Sequence, residues 1–281
     1  MKNALIICGA SGFVGSKLLP VAASRFQVYV LNRDLSLCLF DKNTNCFKKV
    51  SLSTLTKHEF KVLVQLAISK KSRLFKFWGA IYNTDDNVHL NKQLLVRLSG
   101  YVDKIVLLSS LRVSMLEFFR TYDIGFTDEY AEMKKAVEDL YRNSALSQSL
   151  QICIIRSPVI FGLGSQSVSE FARRLGRRGL PFVALEFEIG FRFVDAPLLI
   201  QYVLEQSMPS MTPGQHIVET VSPGVKSFSQ VYYEECLKTG NRPITIRLPY
   251  RLWRPVARFI FSKSLYSRLM ISFIGRPHYI G

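Results

Sequence analysis

The chain has 281 residues, of which 48% are hydrophobic and 21% are charged, and this composition is typical of a globular protein and excludes a disordered one. No apolar run reaches the ~20 residues that a membrane span needs, and the first apolar stretch, ALIIC at 4–8, is too short for the hydrophobic region of a signal peptide. We therefore expect a cytoplasmic protein. The five cysteines form no CxxC pair, which argues against a disulfide framework and against a metal site.

The formal net charge of +16 is unevenly distributed, because no acidic residue follows Glu235 whereas basic residues continue as far as Arg276. Such a field attracts phosphate groups, whether on a nucleotide, on an anionic membrane surface or on nucleic acid. Charge alone does not choose among these three.

The first elements of the chain predict a β-α-β unit. Residues 4–8 read as a buried strand, a glycine-containing turn follows at 9–15, and a helix from Ser16 to about Ala23 leads to a second strand, QVYVLN at 27–32.

Three further apolar runs follow, VLVQLAI (62–68), KIVLLSS (104–110) and QICIIRS (151–157), with helical patterns between them. Runs of β-branched residues and leucine are typical of buried parallel strands. Their alternation with helices predicts an α/β fold with a Rossmann-type doubly wound parallel sheet. We assign this domain to residues 1–160.

The pattern changes at Phe161, where a loop, a basic helical segment ending at Gly-Leu-Pro, and then a strand-to-helix pattern, RFVDAPLLIQYVLEQ, follow in turn. We therefore expect a smaller second lobe over 161–281, with elements that return to the main sheet near 190–220.

The turn GASGFVG contains three glycines with separate tasks. Gly9 permits the tight turn, Gly12 lets the backbone approach a pyrophosphate, and Gly15 lets the helix pack close to the sheet. The helix N-terminus then faces the phosphates. With Ser11 and Phe13 in the same turn, these residues predict a dinucleotide-binding site; the alternative is an ordinary strand-turn-helix corner.

The end of the second strand distinguishes the two nicotinamide cofactors, because an acidic residue there binds the ribose 2′-hydroxyl of NAD whereas an Arg accommodates the 2′-phosphate of NADP. Here the residues are Asn32 and Arg33, with Asp34 one position later. Arg33 can pair with a phosphate, so we expect NADP, with NAD as the alternative. The alternative that Arg33 is a solvated loop residue stays open.

Tyr130 and Lys134 are four residues apart in TDEYAEMKKAVEDLY, a segment of good helix formers, so they lie on one helix face. A phenol titrates near ~10 and needs a neighbouring cation to act at neutral pH, which Lys134 provides. Ser110 stands at the carboxyl end of a predicted strand, where open α/β sheets bind ligands. We therefore predict that Ser110 orients a substrate carbonyl, Tyr130 protonates it, and Lys134 tunes Tyr130; the alternative is that Tyr130 and Lys134 form an exposed helix face.

With these residues the chain resembles the extended short-chain dehydrogenase/reductase family, in the NAD-dependent epimerase/dehydratase group that acts on nucleotide sugars. Other segments are similar to that family's pattern in order, to about residue 240: QLAI at 65–68, Asn87 where an Asn opens the next helix, RSPVIFGLG at 156–164 and FVDAPLL at 193–199. The resemblance implies that Leu66, Ala67 and Tyr130 also contact the cofactor and that Lys134 holds its ribose.

Within that family, ARRLGRRGLPF at 172–182 is most similar to the 4-ketoreductases and 4-epimerases of bacterial surface polysaccharide pathways. The resemblance implies a reductase that delivers hydride to the C4 keto group of a nucleotide-activated sugar; the alternative is a 4-epimerase that keeps NAD tightly bound. A non-catalytic NAD(P)-binding scaffold is an alternative of another class. A homodimer is expected from the family, and a nucleic-acid partner is not.

The second lobe of that family binds the nucleoside diphosphate of the substrate, so the resemblance assigns this role to arginines, with a solvated basic face as the alternative. They are Arg173, Arg177, Arg178, Arg192 and Arg247. Two features differ from the family: SSLRVSM lacks the Tyr and Gly that often follow the serine, and Leu163 replaces a proline. Leu111 and Arg112 replace the acidic pair of sugar 4,6-dehydratases, which disfavours elimination.

Residues 247–275 alternate Arg or Lys with large apolar side chains at helical spacing, interrupted by Pro249 and Pro255. The pattern predicts a pair of basic amphipathic helices. It is typical of docking on an anionic membrane face, and equally of helices that close the second lobe.

Overall fold

The computed structural model describes residues 3–66, 70–72, 81–122, 128–162, 168–185, 190–209, 214, 216–220 and 224–248. Two residues named above, Ala67 and Leu163, lie outside these ranges. So does nearly all of the predicted C-terminal helix pair.

The elements up to Ser110 are β1 (Ala4–Cys8), α1 (Phe13–Ala22), β2 (Gln27–Leu31), β3 (Leu37–Asp41), β4 (Cys46–Val50), a 3₁₀ helix (Leu52–Lys57), β5 (Lys61–Gln65), β6 (Lys70–Ser72), β7 (Ile81–Tyr82), α2 (Thr84–Leu98) and β8 (Lys104–Ser110). After them come α3 (Leu111–Thr121), α4 (Glu129–Asn143), a 3₁₀ turn (Ala145–Ser147), β9 (Gln151–Ser157), β10 (Val159–Phe161), α5 (Val168–Arg177), β11 (Phe182–Leu185), β12 (Phe191–Asp195), α6 (Ala196–Gln206), β13 (His216–Thr220), β14 (Gly224–Lys226), α7 (Phe228–Lys238) and β15 (Thr245–Leu248).

The main sheet, as far as the structure describes the chain, has eight strands in the order β13-β9-β8-β5-β1-β2-β3-β4. Neighbours from β13 to β2 are parallel, which confirms the predicted Rossmann-type sheet, whereas β3 and β4 form an antiparallel hairpin at one edge. After β4 the chain returns to β5 on the other side of β1. Ligands of open α/β sheets bind where the strand order reverses in this way, outside the carboxyl ends of the strands.

The core lies on both faces of this sheet, because successive strand residues point to opposite sides. Leu5 and Ile7 of β1 pack with α1 and α6 on one face, whereas Ile6 packs with α2 and α4 on the other. All three are fully buried, and burial of such a side chain stabilises the fold by about 1.5–3 kcal/mol. The sheet is therefore a rigid base for residues at the strand ends.

The region predicted as the second lobe has a smaller apolar cluster, formed by residues of α5, β11 and α7. A Cβ on Gly176 of α5 would lie 2.8 Å from the carbonyl oxygen of Tyr232, so glycine lets α5 and α7 pack closely. The basic helix and the strand-to-helix pattern expected here are present as α5, β12 and α6. β13 joins the main sheet beside β9.

Three boundaries differ from the sequence-based expectations. Helix α1 begins at Phe13 rather than Ser16, because Gly12 already takes the N-cap conformation. Helix α2 is opened by Asn83, whose side chain accepts the first amide hydrogens, and not by Asn87, which lies buried in the first turn. Arg247 belongs to strand β15, paired with β11, so the predicted helix does not start there.

Within the described ranges, no helix combines the length and the apolar character that crossing a membrane requires.

Candidate active site

A cavity of about 1090 Å³ opens at the carboxyl ends of the parallel strands, and we call it the sheet-edge cavity. The structure brings together there nearly all described residues of the predicted cofactor and catalytic sets. Those that line it are Gly9, Ser11, Gly12, Phe13, Gly15, Asn32, Arg33, Leu66, Ser110, Tyr130 and Lys134.

The glycine turn forms one wall of the cavity. Gly9 has φ 93°, which side chains disfavour, and a Cβ on Gly15 would overlap the Gly9 carbonyl oxygen and lie 2.7 Å from Ala10 Cα. Gly12 is the N-cap of α1 and offers no side chain to its first amide hydrogens. Those N–H groups and the positive end of the helix dipole are therefore directed to the cavity, an arrangement that fits a pyrophosphate.

The end of β2 presents Asn32 and Arg33 to the same cavity. The Asp34 carboxylate accepts hydrogen bonds from the backbone N–H and the hydroxyl of Ser36, at 3.0 and 2.7 Å. These bonds hold the pKa of Asp34 below its usual range. Asp34 is thus engaged in its own turn, while Arg33 is exposed at the cavity.

The β3–β4 hairpin adds residues that sequence reasoning missed. Cys38 and Phe47 line the cavity beside Asn32 and Arg33, and the Phe47 ring packs on Phe40 with centroids 5.2 Å apart. The sequence offers no local signal for them, because the strand pairing alone brings them there.

Helix α4 positions Tyr130 and Lys134. Asp128 is its N-cap, and its carboxylate accepts from the backbone N–H groups of Tyr130 and Ala131. Buried Lys134 donates to the carbonyl oxygen of Leu108, at the end of β8, with Nζ–O 2.7 Å. Burial lowers the pKa of Lys134 to about 8, although the charge of Glu138 opposes the shift. Its ammonium group therefore titrates within the working range of an enzyme.

The two serines at the end of β8 have different partners. The Ser110 hydroxyl accepts the backbone N–H of Arg112 at the start of α3, at 3.3 Å, so its own hydrogen can donate into the cavity. Ser109 donates to the buried carboxylate of Glu138. Only Ser110 thus uses its oxygen as a helix cap.

A buried ion cluster ties the site-bearing elements together. Arg156, at the end of β9, donates to both oxygens of Glu138 of α4 and, through two nitrogens at 2.6 and 2.9 Å, to Glu117 of α3. Burial disfavours its charge, but these carboxylates raise the pKa of Arg156 above its ordinary value. Such a satisfied cluster fixes α3 and α4 relative to the sheet.

Helix α2 contributes a further wall that was not predicted. Asp86, His89 and Gln93 line the cavity, and their spacing along α2 places them near one helical face. That spacing of polar residues was the available sequence signal.

The five arginines that were predicted to bind the substrate diphosphate are absent from the cavity lining. Arg173 and Arg177 of α5 pair with Glu235 of α7 at 3.3 and 2.6 Å. Burial raises the pKa of Glu235, but the two arginines outweigh this effect and hold it below its usual range. Arg178 and Arg247 are exposed, and Arg192 is partly buried on β12.

No family model matches the chain, and no curated protein matches it. Solved structures do. The chain is similar to UDP-N-acetylglucosamine 4-epimerase from Bacillus cereus, with 15% identity over 88% of this chain and 85% of that one and a TM-score of 0.65.

Two further epimerase structures cover almost the whole chain. UDP-glucuronic acid 4-epimerase from Bacillus cereus, solved with UDP-glucuronic acid and NAD, has 14% identity over 96% of this chain and 98% of that one, with a TM-score of 0.63. UDP-glucose 4-epimerase from Thermus thermophilus, solved with NAD, has 16% identity over 97% and 99%, with a TM-score of 0.60. The expected resemblance is therefore confirmed at the level of the fold: the chain has the Rossmann-type fold of these epimerase structures.

Proposed function

We propose that this chain is an NAD(P)-dependent enzyme that oxidises and reduces C4 of a nucleotide-activated sugar. One observation carries the proposal: Ser110, Tyr130 and Lys134 line one cavity together with the glycine turn. A non-catalytic scaffold has no need of a buried lysine beside a tyrosine at the carboxyl ends of the strands.

The residues present fit a dinucleotide. The bare N-terminus of α1 suits the pyrophosphate, and Phe47 and Arg33 stand where the adenosine end would lie. When bound, NAD or NADP supplies the hydride acceptor and donor. Exposed Arg33, with Asp34 engaged by Ser36, favours NADP, whereas the epimerases of the same fold that were solved with a cofactor hold NAD.

Three residues of the chain then have separate roles in the reaction. Ser110 donates to the reacting oxygen at C4 and holds it against Tyr130. Tyr130 passes a proton to or from that oxygen as hydride moves at the carbon. Lys134, fixed by Leu108, binds the ribose and stabilises the deprotonated tyrosine.

Epimerisation is the form of this reaction that we favour, because the similar structures are named as 4-epimerases. It requires that hydride leave C4 and return to the opposite face. A 4-ketoreductase, as in surface polysaccharide pathways, uses the same three residues and is the second candidate, supported by Arg33.

Of the second-lobe arginines that are candidates to bind the substrate diphosphate, Arg192 is the best placed. Its strand β12 pairs with β10, and Ile160 of β10 lines the sheet-edge cavity. Arg192 therefore lies on a strand that pairs with a strand of the cavity wall.

The test begins with the purified protein, denatured to release any dinucleotide for identification by mass. Stoichiometric NAD supports the epimerase, and an empty protein that oxidises added NADPH with a 4-keto sugar nucleotide supports the reductase. UDP-glucose, UDP-N-acetylglucosamine and UDP-glucuronic acid are then offered one by one. If the protein is purified without dinucleotide and calorimetry then detects no binding of either NAD or NADP, the proposal is contradicted.

A further inference from the structure

Arg112 of α3 lies against Tyr130, although the sequence analysis gave it no catalytic role. Its guanidinium carbon is 5.5 Å from the centroid of the Tyr130 ring, a distance at which a cation is attracted to an aromatic face. Arg112 also forms an ion pair with Asp128.

Asp128 fixes this arrangement. It is fully buried, and its other oxygen accepts from the backbone N–H of Tyr130 at 3.1 Å. One carboxylate therefore ties the guanidinium to the turn that carries the tyrosine. Arg112 itself follows the Ser110 cap, so the contact joins the starts of the two helices that bring Ser110 and Tyr130 to the cavity.

Other charged groups also face this region. Lys134 lies one turn further along α4, and Asp86 and His89 of α2 line the same cavity. Among the cations, the buried Lys134 has a pKa of about 8 because of desolvation, whereas a guanidinium stays charged throughout the range in which enzymes work. Among the described cations that face the ring, Arg112 is thus the one that stays charged over this range.

We propose that Arg112 is a positioning residue that holds the Tyr130 ring at the cavity and, through its charge, favours the phenolate over the phenol. The inference rests on the proposed function only where it concerns the effect of Arg112 on turnover. The ionisation of Tyr130 in the free protein can be measured without substrate or cofactor.

The experiment follows tyrosinate absorbance during a pH titration and takes the difference between each protein and its Tyr130→Phe counterpart, which isolates Tyr130 among the 12 tyrosines. Arg112→Gln keeps a hydrogen-bond donor for Asp128 and removes the charge. We expect it to raise the Tyr130 midpoint by about one pH unit. Arg112→Lys, which keeps the charge, should restore a midpoint close to that of the unchanged chain.

The matched control is Arg120→Gln, because Arg120 also lies on α3 and pairs with α4, at 2.5 Å from Glu132, but is exposed. It should leave the midpoint unchanged. Arg112→Met is a second neutral variant if Arg112→Gln fails to fold by circular dichroism. An unchanged midpoint in a folded neutral variant overturns the proposal, as does an equal rise in Arg112→Lys.

Turnover separates this inference from the proposed function. If the midpoint moves but no sugar nucleotide is converted, the assigned reaction fails and the role of Arg112 stands. If conversion occurs, the pH profile of kcat should shift with the midpoint while KM stays within about twofold, a pattern that loss of packing alone does not produce.

Discussion

The sheet-edge cavity and the second lobe both contain many charged residues, but the two sets differ in how deeply they are buried. Lys134 at the cavity, and Glu138 and Arg156 in the elements that carry its residues, are buried and hydrogen-bonded. In the second lobe, Arg178 and Arg247 are exposed, and Arg173 and Arg177 pair with Glu235 between two helices. Composition gives both regions the same residue types. Burial decides which charges act strongly on a ligand, because water screens the exposed ones.

Tyr130→Phe tests the cavity most directly. Loss of the phenol should lower kcat at least ~100-fold, since a positioned acid contributes that much or more, and should leave dinucleotide affinity within a few fold. Steady-state kinetics and calorimetry measure the two. Tyr122→Phe is the control, because Tyr122 is exposed at the end of α3. Turnover that survives Tyr130→Phe removes Tyr130 from the mechanism.

Gly15→Ala tests the packing of the glycine turn. A Cβ there overlaps the backbone of Gly9 and Ala10, so we expect a loss of about 1–3 kcal/mol in the free energy of unfolding and weaker dinucleotide binding. Gly100→Ala is the matched control, because a Cβ at Gly100 meets no atom within 4 Å. Equal thermal midpoints for the two variants contradict the close packing.

Lys134 gives the cavity a defined pH dependence. Its pKa is lowered from 10.5 to about 8, so the ammonium charge is present below pH 8 and lost above it, and kcat/KM should fall as pH rises through this value. Between pH 8 and 10.5 the unfolded chain binds more protons at this site, so its contribution to stability rises with pH. Lys134→Met should abolish both effects, whereas Lys135→Met should not. A flat profile across pH 7–9 contradicts this role.

Arg192 and Arg178 test whether the second lobe binds the diphosphate. Loss of a charge-assisted hydrogen bond costs about 1.5–3 kcal/mol, so Arg192→Ala should raise KM for the sugar nucleotide at least ~10-fold. Exposed Arg178→Ala should change it less than ~2-fold. Equal changes in KM for the two variants would contradict the special role that we infer for Arg192 from the position of β12.

Membrane contact is the smallest expected effect. Val183 and Ile246 are paired partners on β11 and β15 and are about half exposed, and Ile246 directly precedes the basic residues that continue to Arg276. We expect weak sedimentation with anionic vesicles that disappears at high salt, and less of it for Val183→Thr. Equal binding to neutral vesicles argues against the electrostatic part.

The sequence was informative where function depends on local spacing. The glycine turn occupies one short stretch of chain and the Tyr130–Lys134 pair one helix, and both reach the cavity. Phe47, Asp86 and Arg112 were missed because strand pairing and helix packing bring them to the site. The pairing of Arg177 with Glu235 joins residues far apart in the chain, and no local pattern shows it.

The β3–β4 hairpin also affects how the protein behaves at high concentration. In the part of the chain that the structure describes, β4 is the last strand of the main sheet, and its backbone edge is open to pairing with another strand. Lys48 and Lys49 lie on this exposed strand, and Lys42 lies in the hairpin turn. Lysines on an edge strand oppose sheet-to-sheet aggregation, so part of the chain's positive charge keeps this edge from pairing with a second copy.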